Sequence, residues 1–428
     1  MARLRYIQFS SHRCTIEGNR VEWISQFERD PIYGLPQIVW NDSCPWREAN
    51  LWALQRAREQ LVSIETVRSN MTSILTYANW LESNEIEWWS FPVKKADRCL
   101  VRYRGYLIKT RDADLIAPST ATQRMRDVIN FYRWLNATGL LSPEWPMWKD
   151  RYIGVHLTDA IGFQRTITVQ TTDLAIKNRK ANVEKLEDGL LPVSSIDRDH
   201  ILEFAGTNAS WEMFLLLTLG FYTGMRLGTL CDVKTETIER AIEEPGIPGL
   251  YKLAIGPGAR PSVKTKFGVT GFAWITHEHL SALKNYIESP RRQDRASRAT
   301  AENKGLVFLT KYGNPYTSAK SERSSAINVE MHSLRYKGVS SGISALQHFR
   351  FHQTRCTFAT QLAYLLMPVA GAINALAIIK EALLHKDEAT SLKYIKFVER
   401  SPAKSAAANA FTLAFLGVLS TLDQINDE

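Results

Sequence analysis

Cysteine is scarce. Five residues in 428 (Cys14, Cys44, Cys99, Cys231, Cys356) lie far apart, and no two form a C-x-x-C pair. An odd, scattered set supports neither a disulfide framework nor a zinc site, and it fits a reducing cytoplasm. The opening MARLRYIQFSSHRC has no apolar core of signal-peptide length, so export is not expected. Long apolar runs are also missing. The most apolar one, YLLMPVAGAINALAIIK, is broken by Pro368, Gly371 and Asn374 and falls short of the ~20 residues a membrane span needs. It reads as a buried helix with a bend, and no membrane partner is expected. His277 and His279 have no nearby Cys or second His set, so no metal or other cofactor is expected; WITHEHL reads as a strand leading into a helix. Internal repeats and low-complexity tracts are absent.

What is present points to a globular protein that favours polyanions. Hydrophobic residues make up 45% and charged residues 23%, which excludes a chain disordered throughout. The 53 Lys and Arg exceed the 44 Asp and Glu by a formal +9, a bias toward nucleic acid. At 428 residues the chain exceeds what one core usually organises.

The pattern along the chain divides accordingly. Residues 1–50 show no sustained period and read as an extension packed on the next domain. From Leu51 the period becomes helical: Met71, Ile74, Leu75, Ala78 and Leu81 share one face. A second helix has Ser119 or Thr120 as N-cap, Met125, Val128, Tyr132 and Leu135 as its buried stripe, and Gly139 as its stop. Arg124, Arg126 and Arg133 lie off that stripe, as DNA contacts or simply as a solvated face. Residues 51–160 are thus expected to be a helical domain and 161–190 a linker. A helix start follows in LLPVSSIDRDH, then two apolar helices separated at Thr223 and Gly224. GLYKLAI, PSVKTKF and TGFAWIT read as a small antiparallel sheet, and ESPRRQDRASRATAENKG as an exposed loop. The fold class is mainly α with a small antiparallel β-sheet: a helical domain plus a mixed α+β domain over 191–428, ending in a helical tail at about 402–428.

Four patterns in the second half carry chemistry. In TGMRLGTL, Gly224 permits a tight entry and Arg226 starts a helix; alone, such an Arg is usually a solvated charge. In FHQTRCTFAT, His352 and Arg355 share a helix face and could clamp a phosphate, or could cap the helix and pair with an acid. SVKTKFGVTGFAWI sets Lys264 and Lys266 on one strand face, where lysines often only keep an edge soluble. In LLHKDEATSLKYIK, His385 precedes Tyr394 by nine positions.

The order Arg, Lys, His-x-x-Arg, His, Tyr resembles the signature of the tyrosine recombinases, the phage-integrase family of site-specific DNA recombinases. TGMRLGTL is similar to that family's first arginine box, HQTRCTFAT to its H-x-x-R box, and LLHKDEATSLKYIK to its terminal box. The likeness covers about 190–400 by motif and extends weakly to the helices of 51–150, similar to the family's core-binding domain. Thr229 departs from it, standing where the first box usually carries an acid; so does Cys356, where the second box often has another His.

The resemblance implies a metal- and ATP-independent enzyme that cleaves and rejoins DNA through a 3′-phosphotyrosine, serving integration or excision of a mobile element. Arg226, Lys266, His352, Arg355, His385 and Tyr394 would be catalytic, with Lys264 as the alternative lysine. Its partner would be double-stranded DNA held in a two-domain clamp. It would act as a homo-oligomer, a tetramer at synapsis, with accessory proteins of the same element, in the bacterial cytoplasm at the nucleoid. The competing readings are a type IB topoisomerase-like relaxing enzyme, which shares this chemistry, and a catalytically inert sequence-specific DNA-binding protein.

Overall fold

A computed structural model describes residues 1–400 except 18–19, 26–30, 60–61, 143, 159–163, 178–185 and 318–323. The expected tail at 402–428 lies outside the described residues. The chain divides into two compact units, Met1–Asn182 and Val183–Glu428.

The first unit begins with strands β1 (Arg3–Phe9), β2 (His12–Glu17), β3 (Arg20–Ser25) and β4 (Ile32–Val39). β1 pairs antiparallel with β4, and β2 with β3. The extension therefore packs on its neighbour, but as strands that the sequence reading did not expect. Leu35 and Ile38 of β4 are buried in the helical core. The Asn50 side chain binds both the N–H (2.7 Å) and the carbonyl (3.0 Å) of Ile38, tying strand to helix.

Four helices follow: α1 (Arg47–Arg58), α2 (Ile64–Ser83), α3 (Cys99–Asp112) and α4 (Pro118–Ala137). Ser63 caps α2 by accepting from the Thr66 N–H. Met71, Ile74, Ala78 and Leu81 are buried, as their spacing requires, while Leu75 is only partly covered. α4 starts earlier than its hydroxyls suggest: its N-cap is Ala117, because Pro118, with φ preset and no N–H to satisfy, suits the first helical position. Its stripe of Met125, Val128, Tyr132 and Leu135 is fully buried, and Gly139 adopts φ +71° just past its end. Between the helices, the Tyr77 hydroxyl lies 2.8 Å from that of Tyr132, which itself donates to the Trp88 carbonyl. A long hairpin, β5 (Asp150–Thr158) and β6 (Gln164–Thr172), then occupies a region read from sequence as weakly periodic and partly as linker. β-branched residues in RTITVQTT favour the strand, but its two-sided alternation of polar and apolar residues is short.

The second unit holds α5 (Ser195–Asn208), α6 (Trp211–Thr223), α7 (Leu227–Leu230) and α8 (Thr235–Glu239), then β7 (Ile242–Glu243), β8 (Leu250–Ile255) and β9 (Gly271–Thr276). After these come α9 (His277–Glu288), α10 (Pro290–Ser297), α11 (Ser325–Ser340), α12 (His352–Ala382) and α13 (Glu388–Arg400). The sheet is antiparallel in the order β7-β8-β9, with Leu250 opposite Thr276 and Ile255 opposite Gly271. Leu253, Ile255, Ala273 and Ile275 of the sheet share a core with Leu216, Phe221 and Phe349.

Three expectations need correction here. PSVKTKF is not a strand: β8 pairs directly with β9, and Phe267 and Gly268 turn the chain with φ +66° each. Lys264 and Lys266 consequently share no strand face. The polar stretch after Glu288 is not an exposed loop but contains α10, with Arg292 and Arg295 buried. Their guanidiniums donate to the carbonyls of Lys304, Leu306 and Leu309, giving that returning loop its hydrogen-bond partners. The apolar run 364–380 does bend, but it is not buried throughout. α12 is apolar and, at 31 residues, long enough to cross a bilayer, yet Gly371 (φ 73°, ψ 168°) breaks it three residues after Pro368. At that corner Val369 is 89% and Ile373 64% exposed.

Candidate active site

Gly224 ends α6 with φ +65°, and a Cβ there would collide with the side chains of Phe358 and Leu383. Glycine is required twice over, by conformation and by space. The turn delivers Arg226 to the residue preceding α7. α12 starts at His352, and one turn later Arg355 is almost completely buried. Its NH1 donates to the Gly224 carbonyl (2.7 Å) and its NH2 to the Leu383 carbonyl (2.9 Å), joining three segments through one planar fork. α12 closes through Leu384, a non-glycine residue at φ +51°, which aims His385 inward. α13 then buries Tyr394 completely.

These residues meet at a carboxylate that the sequence reading missed. Glu187, in a one-turn 3-10 helix at Glu187–Gly189, is 8% exposed. Its Oε2 lies 3.1 Å from His352 Nε2 and accepts from Arg355 Nε at 3.1 Å. Its Oε1 lies 2.5 Å from His385 Nε2 and 3.5 Å from Arg226 NH2. Burial would raise the Glu187 carboxyl, but hydrogen bonds from His352 and His385 and the Arg355 charge outweigh it and hold the group far below the usual carboxylate range. Locally, KLEDG reads only as a charged linker, so nothing in its own pattern marks Glu187; the missing acid at Thr229 was the one indirect hint.

Burial, with the Arg355 and Arg226 charges, lowers the His385 pKa against the opposing pull of Glu187. Its Nδ1 is 2.7 Å from the Ser391 hydroxyl. The His385 and Tyr394 rings stack, 6.1 Å between centroids and 8° between planes. The Tyr394 hydroxyl donates to Cys356 Sγ at 3.9 Å. Burial, then the neighbouring Cys356 and Glu187, push its pKa well above that of a free tyrosine, with Arg355 opposing.

Lys266 lines a small cavity with Arg226, Thr229, Arg355, Leu383 and Leu384, and Lys264 is not part of that lining. Lys266 Nζ sits 5.4 Å from the centre of the Phe267 ring. The backbone N–H of Lys264 instead binds Asp232 Oδ2 at 2.6 Å. Arg124, Arg126 and Arg133 belong to α4 of the other unit. Arg126 is exposed, while Arg133 is half-buried, 3.9 Å from Asp150 and 6.0 Å from the Trp148 ring centre.

No protein-family model and no curated protein matches the chain. Solved structures do. The Tn1549 transposon integrase in complex with a circular intermediate DNA is 13% identical, with a TM-score of 0.50 over 86% of this chain and 99% of that one. A second structure of that integrase with circular intermediate DNA gives 13% identity and 0.50 over 85% and 98%. A lambda integrase dimer bound to a COC' core site is 14% identical, at 0.47 over 83% and 95%. The chain has the fold of the Tn1549 transposon integrase.

Proposed function

We propose that the protein is a site-specific DNA recombinase that cleaves and rejoins duplex DNA through a covalent 3′-phosphotyrosine. One observation carries the reading: Arg226, His352, Arg355 and His385, read from separate motifs, converge on the oxygens of one anion, with Tyr394 stacked on His385. A phosphodiester is a poor electrophile because its negative charge repels nucleophiles, and attack concentrates more charge on the non-bridging oxygens. Preorganised forked donors stabilise that charge, each worth about 3 to 4 kcal/mol.

Tyr394 attacks phosphorus as the P–O5′ bond breaks. Its proton, held near a pKa of about 10 in the free residue, passes toward His352 in the field of the arginines. Lys266, beside Arg226 and Arg355, protonates the leaving 5′ oxygen. The tyrosyl ester keeps the energy of the broken linkage, so a second DNA 5′ hydroxyl can reverse the step on a new partner without ATP. The guanidiniums supply the neutralisation that a metal ion supplies in other phosphoryl-transfer sites. The two units would clamp the duplex, with phosphate contacts setting position and salt dependence. Integration or excision of a mobile element, within a tetramer, is the setting this chemistry suits.

The test is a nicked duplex carrying the element's ends. Wild type should form a denaturant-resistant protein–DNA adduct, and Tyr394→Phe none. Equal adduct from both would remove Tyr394 as nucleophile; relaxation of arbitrary plasmid without exchange would make the protein a topoisomerase.

A further inference from the structure

Glu187 is not among the groups that phosphoryl transfer requires, yet it holds the donors that transfer needs. Its two oxygens divide Arg226 and His385 from His352 and Arg355. A phosphodiester presents two non-bridging oxygens to the same kind of donor set. Two guanidiniums brought together out of water require an anion, because an uncompensated buried charge is costly. We propose that the Glu187 carboxylate is a built-in stand-in for the scissile phosphate, filling the anion site of the DNA-free protein and leaving when a DNA phosphate enters. The inference rests on the recombinase reading for the identity of the displacing anion.

The turn that carries Glu187 is a short element separate from the helices it touches, with Leu186 buried and Cys356 Sγ 4.0 Å from the Glu187 carbonyl. It closes on itself through the Leu186 N–H to the Leu190 carbonyl (3.1 Å). It is laid along the first turns of α12 by Gln353 Nε2 to the Leu191 carbonyl and by the Val193 N–H to Thr357 Oγ1, both 3.0 Å. These are side-chain contacts, so the turn can lift away without unwinding a helix. A buried Tyr394, its hydroxyl on Cys356, fits a site at rest. The competing role is positional: Glu187 could replace the acid absent at Thr229 and orient His352 and Arg355 with the phosphate already bound.

Inorganic phosphate separates the two roles without DNA. Full-length wild type, Glu187→Gln and Glu187→Asp are titrated with phosphate by calorimetry, and their melting temperatures followed with and without it. If Glu187 competes, Glu187→Gln binds phosphate at least about tenfold more tightly than wild type, and its melting temperature rises with phosphate much more steeply. Adding Arg226→Ala should abolish that gain. Unchanged or weaker phosphate binding in Glu187→Gln, with reduced adduct on nicked DNA, overturns the proposal and makes Glu187 a positioning residue. So does a gain that survives Arg226→Ala. Should Glu187→Gln fail to fold, Glu187→Asp decides: its carboxylate is one methylene short, so tighter phosphate binding supports competition and unchanged binding refutes it. Failure of every variant, wild type included, to form a DNA adduct would count against the recombinase reading alone, since phosphate competition is read separately.

Discussion

Two buried glutamates of the second unit, Glu212 and Glu187, look alike and differ in what surrounds them. Glu212 is gripped bidentately by Arg291 (2.8 and 2.9 Å), by Arg295 at 3.0 Å and by the Tyr286 hydroxyl at 2.9 Å. Arg295 also binds the Leu309 carbonyl, so the network fastens α6, α10 and the loop beyond it into one piece. Glu187 instead meets two arginines and two histidines, one of the arginines only at 3.5 Å, from a one-turn helix at the start of the unit. A forked, short-range network builds architecture. A looser one, whose donors match a phosphate, is what the proposed site requires.

The largest effect that would break this contrast is at Glu212. Glu212→Ala strands buried guanidinium charge and should cost about 3 to 5 kcal/mol in urea unfolding, with no rescue by phosphate. Phosphate rescue there would erase the distinction. Arg355→Ala comes next: loss of a preorganised donor should slow adduct formation about 10² to 10³-fold, measured by single-turnover trapping on nicked DNA. A loss under tenfold would place Arg355 with the architectural group. Gly224→Ala follows, because φ +65° and the collisions with Phe358 and Leu383 both oppose a side chain. A cost of about 1 to 3 kcal/mol is expected, with adduct formation falling as Arg355 loses its carbonyl anchor.

Acid should act on both networks. Burial raises each carboxyl, but the opposing contacts win: His352, His385 and Arg355 at Glu187, and Arg291 and Arg295 at Glu212, so each group is held low. A depressed carboxylate adds stability that is complete above its unfolded pKa of about 4.3 and is lost as pH falls below it. Urea midpoints should therefore drop from about pH 5 downward, and less steeply in Glu212→Gln. An equal slope would mean that Glu212 contributes no such linkage. The smallest effect is expected at Arg126, exposed on α4. Arg126→Ala should leave stability within about 0.5 kcal/mol. If Arg126 touches a DNA phosphate, the substitution should reduce the salt dependence of duplex binding by about one ion.

Much of this was legible along the chain. Helical spacing located the buried faces of α2 and α4, and the motif order brought Arg226, His352, Arg355, His385 and Tyr394 into one reading before any geometry. Missed elements share a cause. The strands of residues 1–50 and the β5–β6 hairpin are short and β-branched between polar residues, a weak signal beside a helix repeated over five turns. The stretch around Arg292 and Arg295 reads as solvated because charge predicts exposure; these two side chains are buried because carbonyls of the loop that follows satisfy their guanidiniums.

Residue order therefore carried the proposed chemistry: forked cations, a histidine pair and a tyrosine, each on an element whose start or stop the neighbouring residues specify. Only packing in three dimensions decided where the charges meet. Arg355 reaches Glu187 across 168 positions and Gly224 across 131, contacts that no local spacing encodes. It also set Lys266 on the cavity that Arg226 and Arg355 line. A sequence records which faces its elements present. Convergence of faces from distant segments depends on how those elements fill one core, and at this site that core also drew in the Glu187 carboxylate.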